Sequence, residues 1–252
     1  MTPGWRLRRA GRVLSLAVAF VVFGQMIRAQ QPGTASHPDI SGSYERYRGA
    51  PAAPQAPAPQ LKAPFLQEWQ AQVRAAREAD AKGEPLATGA VACLPEGMPA
   101  MMAGPFPMEI LQSKGQVTVI QEAYNQVRRI LLDQPQKVID DIEPGFYGRS
   151  VGRWEGDTLV VDTVGIKETV RYQNVPHSKD MRIKERIHTL APDIIWDEIT
   201  IEDPVTLEKP WTFTFAYKRM PGYTLLEYIC EDNREYADEQ GRQKIRIGAP
   251  QR

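Results

Sequence analysis

Residues 148–165 of this 252-residue chain read GRSVGRWEGDTLVVDTVG, and this stretch decides the predicted fold. Residues 150–154 lead into a turn at Glu155-Gly156-Asp157, and residues 158–164 lead out of it. Valine and threonine favour pleated strands, and a short acidic turn that contains glycine is typical of a β-hairpin. Asp162 interrupts the returning strand, which is otherwise rich in valine.

Similar strand signals, joined by short turns, fill the chain on both sides of this hairpin. From Met108 onward we count roughly nine strands, over residues 108–113, 117–124, 128–133, 150–154, 158–164, 181–190, 194–202, 211–219 and 224–230. A meander of this length tends to curl and close, because closure removes its exposed edges. We therefore predict a mainly β fold, an antiparallel up-and-down meander that closes into a lipocalin-like barrel. A two-sheet sandwich is the alternative.

The N-terminal part of the chain divides into three predicted segments ahead of a β-barrel domain over residues 108–252. Arginines precede an apolar run over residues 13–23, and Ala29 follows it, which predicts a secretory signal peptide over residues 1–30. An uncleaved membrane anchor is the alternative. Residues 31–63 form an extended Pro-rich segment. Residues 64–107 contain a helix over residues 64 to about 82, with Leu66 and Trp69 on its apolar stripe, packed outside the barrel or across an end. A Met- and Pro-rich loop follows it and covers the core or a ligand.

The predicted export bears on the redox state of the only two cysteines in the chain. An oxidising compartment, periplasmic or extracellular, permits a disulfide between Cys93 and Cys230, and two unpaired buried thiols are the alternative. With 31 basic and 31 acidic residues, the balanced charge argues against nucleic-acid binding. The chain has three histidines, which argues against a multi-histidine metal centre. The sequence contains no Gly-rich motif for a dinucleotide-binding or phosphate-binding loop. We predict no cofactor, no metal and no stable membrane span after signal cleavage. The sequence leaves both a monomer and a homodimer as alternatives.

Several predicted strands carry one acid on a mostly apolar face. A buried carboxylate is costly unless it is paired, so these acids predict either a buried ion-pair network or a reactive cavity. The acids are Glu122, Asp162, Glu185, Asp197 and Glu227, with Arg128, Arg129 and Arg153 as partners. In the catalytic interpretation, Glu122, Asp162 or Glu185 abstracts a proton, while Tyr124, His177 or Arg129 stabilises the negative charge that develops.

Aromatic residues on the strands predict either core packing or the wall of a pocket for an aromatic or otherwise hydrophobic ligand. Phe213, Phe215 and Tyr217 share one face of their strand with Trp211, and Trp154 and Trp196 belong to other strands. The pocket set is therefore Trp154, Trp196, Phe213, Phe215 and Tyr217.

The motif SVGRWEGDTLVVDT over residues 150–163 resembles a family of secreted bacterial proteins that are mostly labelled hypothetical. Other matching residues are Pro176-His-Ser178, Glu185-Arg186, Glu202-Asp203-Pro204, Lys209-Pro-Trp-Thr212, Glu227-Tyr-Ile-Cys230 and Pro38-Asp-Ile-Ser-Gly42. The resemblance covers nearly the whole mature chain and implies export. It implies no activity.

From the residues, the first hypothesis for function is a periplasmic, cofactor-independent lyase or isomerase. It would use carboxylate acid/base chemistry on a small, largely apolar molecule such as a lignin-type aromatic or a terpenoid. The alternatives are a lipocalin-like protein that binds a hydrophobic ligand without catalysis, and a cell-envelope interaction module.

Overall fold

The structure, a computed structural model, describes residue 1 and residues 37–50, 52–83, 93–230, 235–237 and 243–245. Apart from Met1, the predicted signal peptide over residues 1–30 lies outside the described residues. The described residues from His37 onward belong to one compact unit.

Nine strands form a closed barrel in which neighbours in the sequence are neighbours in the sheet, and the first strand pairs with the ninth. The predicted mainly β fold is therefore confirmed. The strands are β1 Gly42–Tyr47, β2 Met108–Ser113, β3 Gln116–Gln121, β4 Gln126–Leu132, β5 Arg149–Glu155, β6 Thr158–Val164, β7 Arg182–Ala191, β8 Ile194–Glu202 and β9 Trp211–Arg219. A separate antiparallel pair consists of β10 Glu235–Ala237 and β11 Gln243–Ile245.

One pair in the ring departs from the predicted antiparallel meander. β4 and β5 are parallel, whereas the other neighbours in the ring are antiparallel. Strands that alternate in direction around a ring can all be antiparallel only if their number is even, so nine strands require a parallel pair. A parallel pair also needs a long crossover, which residues 133–148 provide.

The organising hairpin forms as predicted between β5 and β6. Glu155 pairs with Thr158, so Gly156 and Asp157 alone make the turn. Gly156 has a φ of 59°, a left-handed conformation that glycine adopts without the steric cost that a side chain imposes.

The first and last strands of the prediction need correction. β1 lies in the predicted extended segment but pairs with both β2 and β9, so the barrel begins at Gly42 rather than at residue 108. Without β1, the edges of β2 and β9 would remain unpaired. Residues 224–230, predicted as a strand, contain no regular secondary structure. They cannot join the ring because β1 already occupies the free edge of β9.

Helix α1 spans Ala63–Ala81 and contacts the loop between β6 and β7 at residues 172–174. Its predicted apolar stripe, which includes Leu66 and Trp69, is half-buried against the core. The indole nitrogen of Trp69 donates a hydrogen bond of 2.9 Å to the carbonyl oxygen of Gln173, in the loop between β6 and β7. The helix therefore holds that loop against the barrel.

The described part of the Met-rich loop packs into the core. It contains the short helix α2, Ala100–Ala103, in which Met101 and Met102 are buried. Their carbonyl oxygens accept hydrogen bonds from the side chains of Gln121 (2.6 Å) and Tyr217 (2.7 Å). This loop segment covers the core, in agreement with the first of its two predicted roles.

Cys93 and Cys230 form a disulfide, with their Cα atoms 5.7 Å apart. It ties the Met-rich loop to the end of the irregular segment 224–230. Structural disulfides of this kind are typical of proteins in oxidising compartments. Among the residues that the structure describes, no helix has the length and apolar character needed to cross a membrane.

Candidate functional site

A cleft lies at the end of the barrel where β7 and β9 begin and β8 ends. We call it the end cleft. It encloses ≈ 320 Å³ of space outside atoms, counted to its open mouth. Its apolar wall includes Val170, Tyr172, Met181, Ile201, Leu207 and Trp211.

Aromatic rings form a continuous layer from the end cleft into the barrel. The ring of Tyr172 lies 5.6 Å from that of Trp211, 5.2 Å from that of Phe213 and 6.1 Å from that of Phe215, measured between centroids. The indole nitrogen of Trp211 donates to the carbonyl oxygen of Pro57 at 2.8 Å, which fixes the ring at the barrel end. Such a wall suits a flat apolar ligand.

Two polar side chains at the end cleft, those of His177 and Asp203, are held by hydrogen bonds within the protein. The two ring nitrogens of His177 lie 2.8 Å from the carbonyl oxygen of Val170 and 2.9 Å from that of Ser178. A carbonyl oxygen only accepts, so His177 would have to turn before it could act as a base.

Asp203, also in the end cleft, is a fixed structural anion. Its carboxylate accepts hydrogen bonds from the backbone nitrogen (2.6 Å) and the hydroxyl (2.9 Å) of Ser178, and from the backbone nitrogens of Val205 and Thr206. Burial alone would raise the pKa of Asp203, but the hydrogen bonds from Ser178 and Thr206 outweigh it and lower that pKa. Asp203 therefore holds two loops together and stays ionised.

Deeper in the barrel, Arg128 and Glu185 form a fully buried ion pair. Nη1 of Arg128 donates to Oε1 of Glu185 at 2.7 Å, and Nη2 donates to Oε2. The same guanidinium donates to the hydroxyls of Ser150 (3.1 Å) and Thr163 (3.0 Å). Burial opposes the charge on Arg128, but Glu185 outweighs it and raises the pKa of Arg128. With its charges matched, the pair is a structural element of the core.

Asp197, by contrast, is a fully buried acid without a matched partner. It faces the interior from β8, next to Phe215 of β9. Neither carboxylate oxygen has a hydrogen-bond partner within the described part of the chain. Burial, reinforced by the charge of Glu185, raises the pKa of Asp197 well above its ordinary value, although Arg128 and Arg46 oppose the shift. Asp197 is therefore biased towards its protonated form.

Arg46 is the residue that the sequence reading missed. Its guanidinium carbon lies 4.1 Å from the centre of the Phe215 ring and 5.3 Å from that of Tyr217. Its Nε and Nη1 atoms are buried, and neither finds a hydrogen-bond partner among the described residues. The alternation of β1 would have identified it, because Tyr44, which is two residues earlier, is fully buried.

Two of the six proposed catalytic residues lie at or near these sites. Glu185 faces the interior, where it is held by Arg128, and His177 lines the end cleft. Phe213, Phe215 and Tyr217 of the proposed pocket are buried in the barrel, as their shared face predicted.

The other four proposed catalytic residues lie outside the interior. Asp162 points outward from β6 and pairs with Arg182 (3.0 Å). Arg129 is exposed on β4, where its neighbour Arg128 faces inward. Tyr124 lies in the turn after β3, where its ring packs 5.3 Å from that of Tyr228.

Glu122, the fourth of these residues, follows the end of β3 and anchors the irregular segment 224–230. Its Oε2 accepts hydrogen bonds from the hydroxyl of Tyr223 (2.7 Å) and from the backbone nitrogen of Leu226 (2.8 Å). Burial, together with Glu122, raises the pKa of Tyr223 to about 12. The prediction that Glu122 faces a cavity is wrong, because β3 turns Val119 and Gln121 inward instead.

Two tryptophans of the proposed pocket also lie away from the end cleft. Trp196 alternates with the buried Ile195 and Asp197 and so faces outward. Trp154 lies near the opposite end of the barrel, where its ring stacks on His37 with centroids 4.6 Å apart. Neither residue lines the end cleft.

No protein-family model matches the chain, and no match is found among curated proteins. Among the described residues, no group of three or more His, Cys, Asp or Glu side chains converges as a metal site requires.

Proposed function

We propose that this is an exported protein, periplasmic or secreted, that binds a small, largely apolar molecule in its end cleft. The observation that carries the proposal is the aromatic and aliphatic wall of that cleft, where Trp211 and Tyr172 present ring faces. His177 and Asp203 are held by hydrogen bonds within the protein, which supports ligand binding rather than catalysis in the end cleft. The ligand class is a lignin-type aromatic or a terpenoid, because such molecules match an apolar wall.

Export is part of the same proposal. The disulfide between Cys93 and Cys230 and the basic, apolar N-terminal segment support it. The resemblance to secreted bacterial proteins, carried by residues 150–163, points in the same direction.

A second candidate function, a cofactor-independent lyase or isomerase, is favoured by Asp197. A buried carboxyl group without a hydrogen-bond partner in the described structure is unusual, and a raised pKa suits a general acid. In this version of the proposal, Asp197 donates a proton as the general acid, whereas the sequence predicted that Glu122, Asp162 or Glu185 would abstract one.

Mass spectrometry separates the two candidates. The purified mature protein is incubated with a lignocellulosic extract, and small molecules are measured in the protein fraction and in solution. A compound that is retained unchanged supports binding. A compound that disappears while a product of equal or smaller mass accumulates supports the lyase or isomerase, and Asp197→Asn should then abolish turnover. If no compound is retained or altered, both proposals fail.

A further inference from the structure

Arg46 carries a positive charge that the described structure leaves incompletely bonded. Its Nε and Nη1 atoms are shielded from solvent and face no acceptor among the residues described. The guanidinium rests against the rings of Phe215 and Tyr217, which offer cation–π attraction, and Arg46 also donates a hydrogen bond to the hydroxyl of Tyr217. A buried donor without an acceptor is costly, so a ligand oxygen at this position would remove a penalty that the free protein bears.

The other buried charges do not satisfy Arg46. Arg128 and Glu185 neutralise each other. The oxygens of Asp197 are without hydrogen bonds in the described structure, although the charge of Arg46 acts on Asp197 and opposes the rise in its pKa. Burial disfavours the ionised form of Asp197. The interior around Phe215 therefore carries a net positive charge whenever Asp197 is protonated.

Tyr172 connects this charge to the end cleft. Its ring lines the cleft and also packs against Phe213 and Phe215, the latter being the ring on which Arg46 rests. Its hydroxyl receives a hydrogen bond of 3.0 Å from the side chain of Gln173, its neighbour in the same turn. A shift of this one half-buried ring would open the layer between the cleft and Arg46.

We infer that Arg46 forms a carboxylate-binding subsite behind Tyr172, so that the ligand of the end cleft is an aromatic or other apolar carboxylic acid. The inference rests on the proposed binding function and specifies its ligand class. The apolar body of the acid would replace or stack on Tyr172 beside Trp211. One of its carboxylate oxygens would accept a charge-assisted hydrogen bond from Nε or from Nη1 of Arg46, the two donors that have no partner among the described residues.

Calorimetric titration of the full mature protein with cinnamate and with methyl cinnamate tests the inference. The two probes share their apolar body and differ in charge. The wild-type protein should bind cinnamate at least about tenfold more tightly than the ester, since a charge-assisted hydrogen bond commonly contributes that much. In Arg46→Met, the affinity for cinnamate should fall by about the same factor while the affinity for the ester is kept.

Two further variants keep the test interpretable. Arg129→Met removes an exposed arginine from the outside of β4 and should leave both affinities unchanged. Arg46→Lys retains a positive charge and should retain part of the preference for cinnamate. Methionine packs well against aromatic rings, so Arg46→Met should fold, and its circular dichroism spectrum checks this.

The outcomes separate this inference from the proposed function. If both probes bind the wild-type protein equally, or if Arg46→Met keeps the preference for cinnamate, the subsite is refuted while binding in the end cleft stands. If neither probe binds, the inference and the proposed binding of small aromatic molecules fail together.

Discussion

The buried ion pair between Arg128 and Glu185 makes a quantitative prediction about stability. Both side chains have a relative exposure of 0%. Glu185→Gln preserves the shape of the side chain but removes its charge and replaces one carboxylate oxygen with an amide NH2 group, which is a donor. The guanidinium of Arg128 would then have only neutral acceptors, namely the remaining side-chain oxygen at position 185 and the hydroxyls of Ser150 and Thr163.

Leaving one partner of a buried pair uncompensated costs about 3–5 kcal/mol. For a domain of this size, that loss corresponds to a decrease in melting temperature of about 6–20 °C. The double variant Arg128→Met/Glu185→Leu should recover most of the loss, because an apolar pair of similar volume removes both charges from the core.

Urea unfolding under non-reducing conditions, followed by tryptophan fluorescence, measures these differences, provided that the dependence on denaturant is unchanged. The matched control is Glu155→Gln, which affects an exposed carboxylate that also contacts two arginines, Arg153 and Arg186. Its free energy of unfolding should be close to that of the wild-type protein. If Glu185→Gln and Glu155→Gln have the same free energy of unfolding, the ion pair between Arg128 and Glu185 does not stabilise the fold as proposed.

Three further changes have defined outcomes. Because the pKa of Asp197 is raised in the folded state, the free energy of unfolding of the wild-type protein should fall as the pH rises from near the ordinary carboxyl pKa of 3.8 towards the raised pKa. Denaturation from pH 4 to 8 should therefore show Asp197→Asn gaining stability relative to the wild-type protein as the pH rises. A difference in stability that does not change with pH would contradict the raised pKa. Replacing Cys93 and Cys230 by serine should lower the free energy of unfolding by about 2–5 kcal/mol, since the disulfide closes a loop with a sequence separation of 137; an unchanged denaturation midpoint would contradict this. Gly148→Ala should lower the melting temperature more than Gly156→Ala does. Both glycines have positive φ, but only at Gly148 would a Cβ lie 2.5 Å from the carbonyl oxygen of Val164. Equal decreases in melting temperature would refute the steric argument.

Local sequence patterns were sufficient to predict most of the barrel. The bounds of β6, β8 and β9 coincide with their predicted ranges, and α1 begins and ends one residue earlier than predicted. These segments have strong periodicity and clear turn residues, so local preference and tertiary packing agree. The parallel pair between β4 and β5 could not be predicted this way, because strand direction in a ring depends on the total number of strands.

The assignment of the site was less successful, because a one-residue error in strand phase turns every side chain to the other face. On β7, the predicted phase was right, and Glu185 faces inward. On β3, the predicted strand ran on to Tyr124, whereas the actual strand ends at Gln121 and Glu122 starts a turn. Arg128 and Arg129 are adjacent, and only the pairing of β4 decides which of them is buried.

Ligand titration followed through tryptophan indole N–H signals in two-dimensional NMR tests the central claim most directly. The probes are methyl cinnamate and the terpenoid alcohol geraniol, and Trp→Phe variants assign the signals. Binding in the end cleft predicts a saturable shift of the Trp211 signal with at least one probe, while Trp154 near the opposite end and Trp196 on the outer face stay in place. Unchanged signals throughout, or equal shifts of all three, would contradict a ligand site at this end of the barrel.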